Sequence, residues 1–192
     1  VESMLLSESR LVRPENYPEG TPGQGFVVNR KGNLPPVGVL ILQGQTFMKP
    51  IENPFFAAAD AVETLRKETP VSFVDMHAEA TSEKIEKGRV LDGRVSAVVG
   101  THTHVQTSDE QIFPGGTAFR CDAGFTGPHE SILGREIEPI LRRFLTCRPQ
   151  RFGVASGRVM LHGAVIDIDN EAGRAGSIQR VSELMPEEEA RG

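Results

Sequence analysis

Three apolar runs alternating with helical segments set the tightest limit on what this chain can become. Val37-Gly38-Val39-Leu40-Ile41-Leu42 is apolar almost without a break, as a strand covered on both faces should be. Residues 71–76 and 95–99 repeat that character and read as a second and a third buried strand. Between the first two, Asn53-Pro54 has the form of an N-cap followed by a first helical residue. Phe55, Ala58, Ala59, Val62 and Leu65 then recur at helical spacing, so 54–68 is predicted to be a helix with one face on a sheet, stopped by Pro70. Residues 79–87 are polar and helix-compatible. A β-α-β-α-β series of this kind gives a mainly parallel sheet with helices on its faces, an α/β fold.

Parallel strands end on a common edge, where α/β proteins gather their ligands. His77 stands at the end of the second strand, and Gly100-Thr101-His102-Thr103-His104 follows the third. In extended backbone residues i and i+2 point to the same side, so His102 and His104 can converge. A lone histidine near a strand end is more often a hydrogen-bonded structural residue. Three imidazoles at two neighbouring strand ends favour a metal site instead, with His77, His102 and His104 as ligands. Asp75 and Glu79 are close enough in sequence to orient His77 or to serve as surface ion-pair partners. His129 lies in a loop within reach of the site, whereas His162 falls inside a strand and is expected to be structural.

The rest of the chain is antiparallel in character. Residues 13–25 form a Pro- and Gly-rich surface crossing, 26–28 a short strand, and 31–33 a turn that returns the chain as a hairpin. Two short strands are expected around a turn within 112–119, a helix over 137–147, and antiparallel strands at 152–155, 159–169 and 178–184. The Asp122–Pro128 loop carries Gly124, Thr126 and Gly127, whose backbone can approach a phosphate closely or can simply connect two elements. One domain over 1–185 accommodates all of this, followed by a solvated acidic tail, 186–192.

A net charge of −5 argues against a general nucleic-acid backbone binder. A small anionic substrate remains compatible, since a bound metal reverses the local field. No run is long and apolar enough to cross a bilayer. Cys121 and Cys147 form neither a CxxC pair nor a disulfide framework, and a cytoplasmic chain with reduced thiols is the expectation.

Four stretches taken together resemble one family. They are Arg13-Pro14 with Glu19-Gly20-Thr21-Pro22-Gly23, His77-Ala78-Glu79-Ala80-Thr81-Ser82-Glu83-Lys84, Gly100-Thr101-His102-Thr103-His104-Val105, and Asp122-Ala123-Gly124-Phe125-Thr126-Gly127. Their order is similar to that of the YmdB-type bacterial metallophosphoesterases, a branch of the calcineurin-like superfamily. The resemblance implies a two-sheet sandwich flanked by helices (α-β-β-α). It also implies two divalent metals, iron or manganese, and a two-metal-activated hydroxide that hydrolyses small phosphodiesters such as 2′,3′-cyclic nucleotides. In that scheme His77 and His102 hold one metal and His104 the other, with Gly124, Thr126 and Gly127 on the substrate side.

The family's Gly-Asp, Asn/Glu and Gly-Asn-His strand ends, and with them its acid histidine, are not in this chain. The chain is therefore expected to be N-terminally incomplete relative to the family, with no catalytic residue of its own and little activity alone. A phosphomonoesterase of the same superfamily, or a non-catalytic regulatory or interaction protein, stays open as an alternative. So does association into a homo-oligomer.

Overall fold

The computed structural model describes residues 2–186, so most of the predicted acidic tail lies outside the described residues. The predicted alternation is present. A short helix α1 (Glu2–Ser7) and the Pro/Gly-rich crossing lead into β1 (Phe26–Asn29) and β2 (Val37–Gln43), which pair antiparallel as the predicted hairpin. Helix α2 (Pro54–Glu68), β3 (Ser72–His77), α3 (Thr81–Val90) and β4 (Ala97–Thr101) follow. The antiparallel pair β5 (Gln111–Ile112) and β6 (Ala118–Arg120) completes a six-stranded sheet in the order β1-β2-β3-β4-β6-β5, parallel from β2 through β6. A second sheet consists of β7 (Gly127–Pro128), β8 (Val159–Ile168) and β9 (Ala175–Leu184), with α4 (Ile137–Thr146) between β7 and β8.

Helix α2 runs over the predicted residues because its ends are specified locally. The Asn53 side chain accepts the Phe55 N–H at 2.8 Å, Pro54 needs no partner at the first position, and Thr69 leaves helical geometry just before Pro70. Ala58, Ala61, Val62 and Leu65 are buried against Leu40, Leu42, Val74, Met76 and Val98, the main core. On the opposite face of the first sheet, Phe73, Ala97 and Ala118 meet Ala175, Ile166 and Ile178 of the second. Alanines at that contact let the two sheets approach. Arg120, buried at the end of β6, donates to the carbonyls of Thr107 (2.7 Å) and Gly163 (2.8 Å) and ties the sheets beside the strand ends.

Three local expectations change. Residues 152–155 are not a strand; Val154 makes only an isolated bridge to Arg135, and the Gly153 carbonyl accepts the Glu136 N–H at 3.3 Å. The start of β7 sits inside the predicted glycine-rich loop, Pro128 being tolerated because this is an edge strand. Strand β4 is displaced toward Thr101, since Arg94 and Val95 still donate to the Leu91 carbonyl behind α3. Gly100 therefore lies within the strand. A β-carbon there would collide with the Cys121 carbonyl, so glycine is required by close approach of two backbones.

Helix α3 is buried through charge. Glu83, Lys84 and Lys87 are all buried, along with Gly88, which packs under Phe113 and Phe119. Lys84 Nζ lies 2.9 Å from Asp122 Oδ2, both side chains about 1% exposed. Lys87 donates to the Pro54 carbonyl (2.8 Å) and its ammonium sits 3.7 Å above the Phe55 ring. Burial pushes the Lys87 ammonium down to about 7, against a smaller upward pull from Glu83.

Two outcomes follow from α3. Between pH 7 and 10 the unfolded chain keeps the Lys87 proton that the native state has released, so stability should rise with pH, by at most about 1.4 kcal/mol per unit. Lys87→Met should flatten that slope relative to wild type in urea titrations across the same pH range. Lys84→Met strands the Asp122 carboxylate in the interior and should cost about 3–5 kcal/mol. In a urea double-mutant cycle, adding Asp122→Asn should recover part of that loss.

Candidate metal centre

Parallel pairing brings the ends of β2, β3 and β4 to one edge, with Gln43 opposite His77 and His77 opposite Thr101. His102 comes immediately after Thr101. The His77 and His102 rings meet edge to face, centroids 4.8 Å apart, with His102 Nδ1 3.1 Å from His77 Nε2. His77 Nδ1 lies 2.9 Å from the Thr101 hydroxyl, which donates to Asp75 Oδ1 at 2.7 Å. The other nitrogen of His102 is 3.1 Å from the Glu79 carboxylate. Of the two acids considered as partners of His77, Asp75 reaches it through Thr101, whereas Glu79 turns to His102.

The loop bearing the histidines is strained and clamped. His102 (φ 107°) and His104 (φ 62°) both sit at positive φ, a region that residues with a β-carbon rarely adopt. Thr103 between them is pinned to Asp122 Oδ2 through its N–H (3.0 Å) and its hydroxyl (2.7 Å). Asp122 Oδ1 accepts the Gly124 N–H at 2.9 Å, so one carboxylate holds the loop after β4 and the loop after β6. Burial alone would raise the Asp122 carboxyl. The hydrogen bonds from Lys84, Thr103 and Gly124 outweigh that and hold it below the usual carboxylate range.

Adjacent residues extend the clamp to β2. Glu83 accepts the Gln45 N–H (2.8 Å), and buried Asn16 brackets Gln43 by accepting its N–H (2.9 Å) and donating to its carbonyl (2.8 Å). Sequence patterns alone do not single out Lys84, Glu83, Asp122, Thr101 or Asn16 for these roles. Four of the five stand inside the quoted stretches; their role needs the third dimension.

The His104 ring is stacked on Phe125, with centroids 5.4 Å apart. Phe125 stacks in turn on His129 (4.3 Å), and His129 meets His162 edge to face (4.4 Å). His129 thus lies behind Phe125 rather than facing His77. His162 has a buried Nδ1 without a partner and packs against Gly124, where a β-carbon would come within 2.6 Å of it. The missing β-carbon of Gly127 faces the Phe125 ring, and Thr126 is exposed. The loop carrying these three residues does lie beside the histidines.

Burial, reinforced by His102 and Lys84, lowers the His77 imidazole and keeps it neutral, the form that ligates metals. Two imidazole nitrogens converging at 3.1 Å suit a borderline transition metal, so the pair fits part of a metal site. Among the described residues no group of three His, Cys, Asp or Glu side chains is gathered closely enough to hold one.

Comparison with known proteins agrees with the geometry. The chain is 52% identical over 171 residues to a 2′,3′-cyclic-nucleotide 2′-phosphodiesterase of Bacillus subtilis, covering 89% of this chain and 64% of that protein. It is 31% identical over 174 residues to a putative phosphatase/phosphodiesterase of Mycoplasma pneumoniae, 87% of this chain and 61% of the relative. The chain thus spans less than two thirds of the length of these curated relatives. Its fold superposes on the crystal structure of a hypothetical protein from Thermus thermophilus with a TM-score of 0.89 at 42% identity, over 96% of this chain and 71% of that one. A novel phosphatase from Mycoplasma pneumoniae gives a TM-score of 0.85 at 28% identity, over 95% and 66%. The family model described as YmdB-like protein matches residues 1–181, and with the histidine pair seated at its parallel strand ends the chain belongs to that family.

Proposed function

We propose that this chain belongs to a metal-dependent phosphodiesterase acting on 2′,3′-cyclic nucleotides or closely related small phosphodiesters. The observation that carries the reading is the apposed pair His77 and His102, one neutral and half-buried, presented together at the end of parallel strands. The name of the Bacillus relative supplies the substrate class. His77, His102 and His104 would hold the metal, and the family resemblance implies that it is manganese or iron. A divalent metal held there supplies Lewis acidity toward the phosphoryl oxygens.

The chain's own residues do the positioning. Thr103, clamped by Asp122, fixes the two flanking histidines at backbone angles they would not hold unaided. Glu79 holds the outer nitrogen of His102. The glycine-bearing loop 122–128 is tied to the same carboxylate, so a substrate phosphate and the imidazoles would be positioned from one anchor. Cys121 and Cys147 are both unpaired, which is in keeping with a reducing, cytoplasmic setting.

Two measurements test this reading. A protein carrying this chain at the full length of its curated relatives, treated with chelator, should lose turnover of 2′,3′-cyclic AMP and regain it on adding manganese or iron; turnover indifferent to chelation would refute metal dependence. His102→Ala should lower kcat by about 100-fold or more while leaving the fold intact by circular dichroism. Preferential turnover of a phosphomonoester such as p-nitrophenyl phosphate over the cyclic substrate would favour the phosphomonoesterase alternative.

A further inference from the structure

We infer that Asp75 and Thr101 form a two-link relay that fixes His77 as its Nδ1–H tautomer and so presents Nε2 as the donor. Neither residue touches the space between the histidines; they are positioning residues, and the inference rests on the metal reading above. A threonine hydroxyl carries one hydrogen. That hydrogen goes to Asp75 Oδ1 at 2.7 Å. The same oxygen, 2.9 Å from His77 Nδ1, then has only lone pairs to offer, so Nδ1 must bring the hydrogen. His77 Nε2 is left with its lone pair facing His102, 3.1 Å away.

The partner ring is set in the opposite sense. His102 Nε2 faces the Glu79 carboxylate, which as an ion only accepts, so the hydrogen of a neutral His102 sits on Nε2. Its Nδ1 is then a lone pair as well. Two lone pairs pointed at each other at 3.1 Å repel unless a cation lies between them, so the hydrogen bonds behind each ring convert an ordinary contact into a pair of donors.

The register of the sheet produces the relay. His77 pairs with Thr101 across β3 and β4, and Asp75 is two residues back on the same face of β3. Any shift of β4 by one residue would put the hydroxyl on the other face. Outer partners of this kind orient a ligating histidine and select its tautomer.

The test reads the tautomer directly, without turnover. Long-range 1H–15N correlation spectra of the labelled, metal-free protein, taken where the histidines are neutral, should show His77 protonated at Nδ1. Thr101→Val removes the acceptor and should move the proton to Nε2; Thr101→Ser should restore the wild-type pattern. Manganese affinity, measured by calorimetry, should fall about 10- to 100-fold in Thr101→Val and recover in Thr101→Ser. A wild-type His77 protonated at Nε2, or a Thr101→Val protein with an unchanged tautomer, overturns the relay. If His77→Ala leaves manganese affinity unchanged, the metal reading itself fails, whatever the tautomer spectra show.

Discussion

The ion pair between Lys84 and Asp122 is the interaction on which the rest of the site depends. A carboxylate this deep is held only if its lone pairs are filled, and four donors fill them: Lys84, both donors of Thr103, and the Gly124 N–H. Lys84 belongs to the helix behind β3 and β4, Thr103 to the loop after β4, and Gly124 to the loop after β6. One anion thereby fixes two strand-end loops to one helix. The adjacent Glu83 does the same for the loop after β2. A single turn of α3 sets the relative positions of three strand ends.

The clamp also accounts for the backbone at His102 and His104. Positive φ at two residues with β-carbons is unfavourable on its own, by about 1–3 kcal/mol each. The hydrogen bonds of Thr103, between them, over-determine the conformation. The strain is thus confined to the point where the imidazoles must diverge from ordinary strand geometry.

Much of the fold was legible because it is written in periodicities that short windows capture. The alternation of apolar runs with the Asn53-Pro54 start of α2 specified the parallel sheet, and His77 and His102 came together because strands in the same phase end on the same edge. Helix α3 was legible only as a polar helix, since its buried side is Glu83, Lys84, Lys87 and Gly88. Hydrophobic patterning is blind to a face buried through ion pairs and a cation over a ring. His104 shows a related limit. The i, i+2 rule assumes extended backbone, whereas the left-handed turn at His104 stacks its ring on Phe125. Whether a residue like Thr101 matters depends on cross-strand register, a property of two segments 24 residues apart that neither contains by itself.

The long reach of these contacts bears on how the protein acquires its site. Lys84 to Asp122 and Glu83 to Gln45 each span 38 residues, Asn16 to Gln43 spans 27, and His77 to Thr101 spans 24. Each requires the closure of a loop of 24 residues or more, a cost repaid only once both ends are in place. No fragment of the sequence short enough to fold early contains the histidine pair together with the clamp that shapes it. The donor geometry is therefore a late product of folding. A chain still on its way to the native state carries its histidines apart, and the paired edge exists only once the fold is complete.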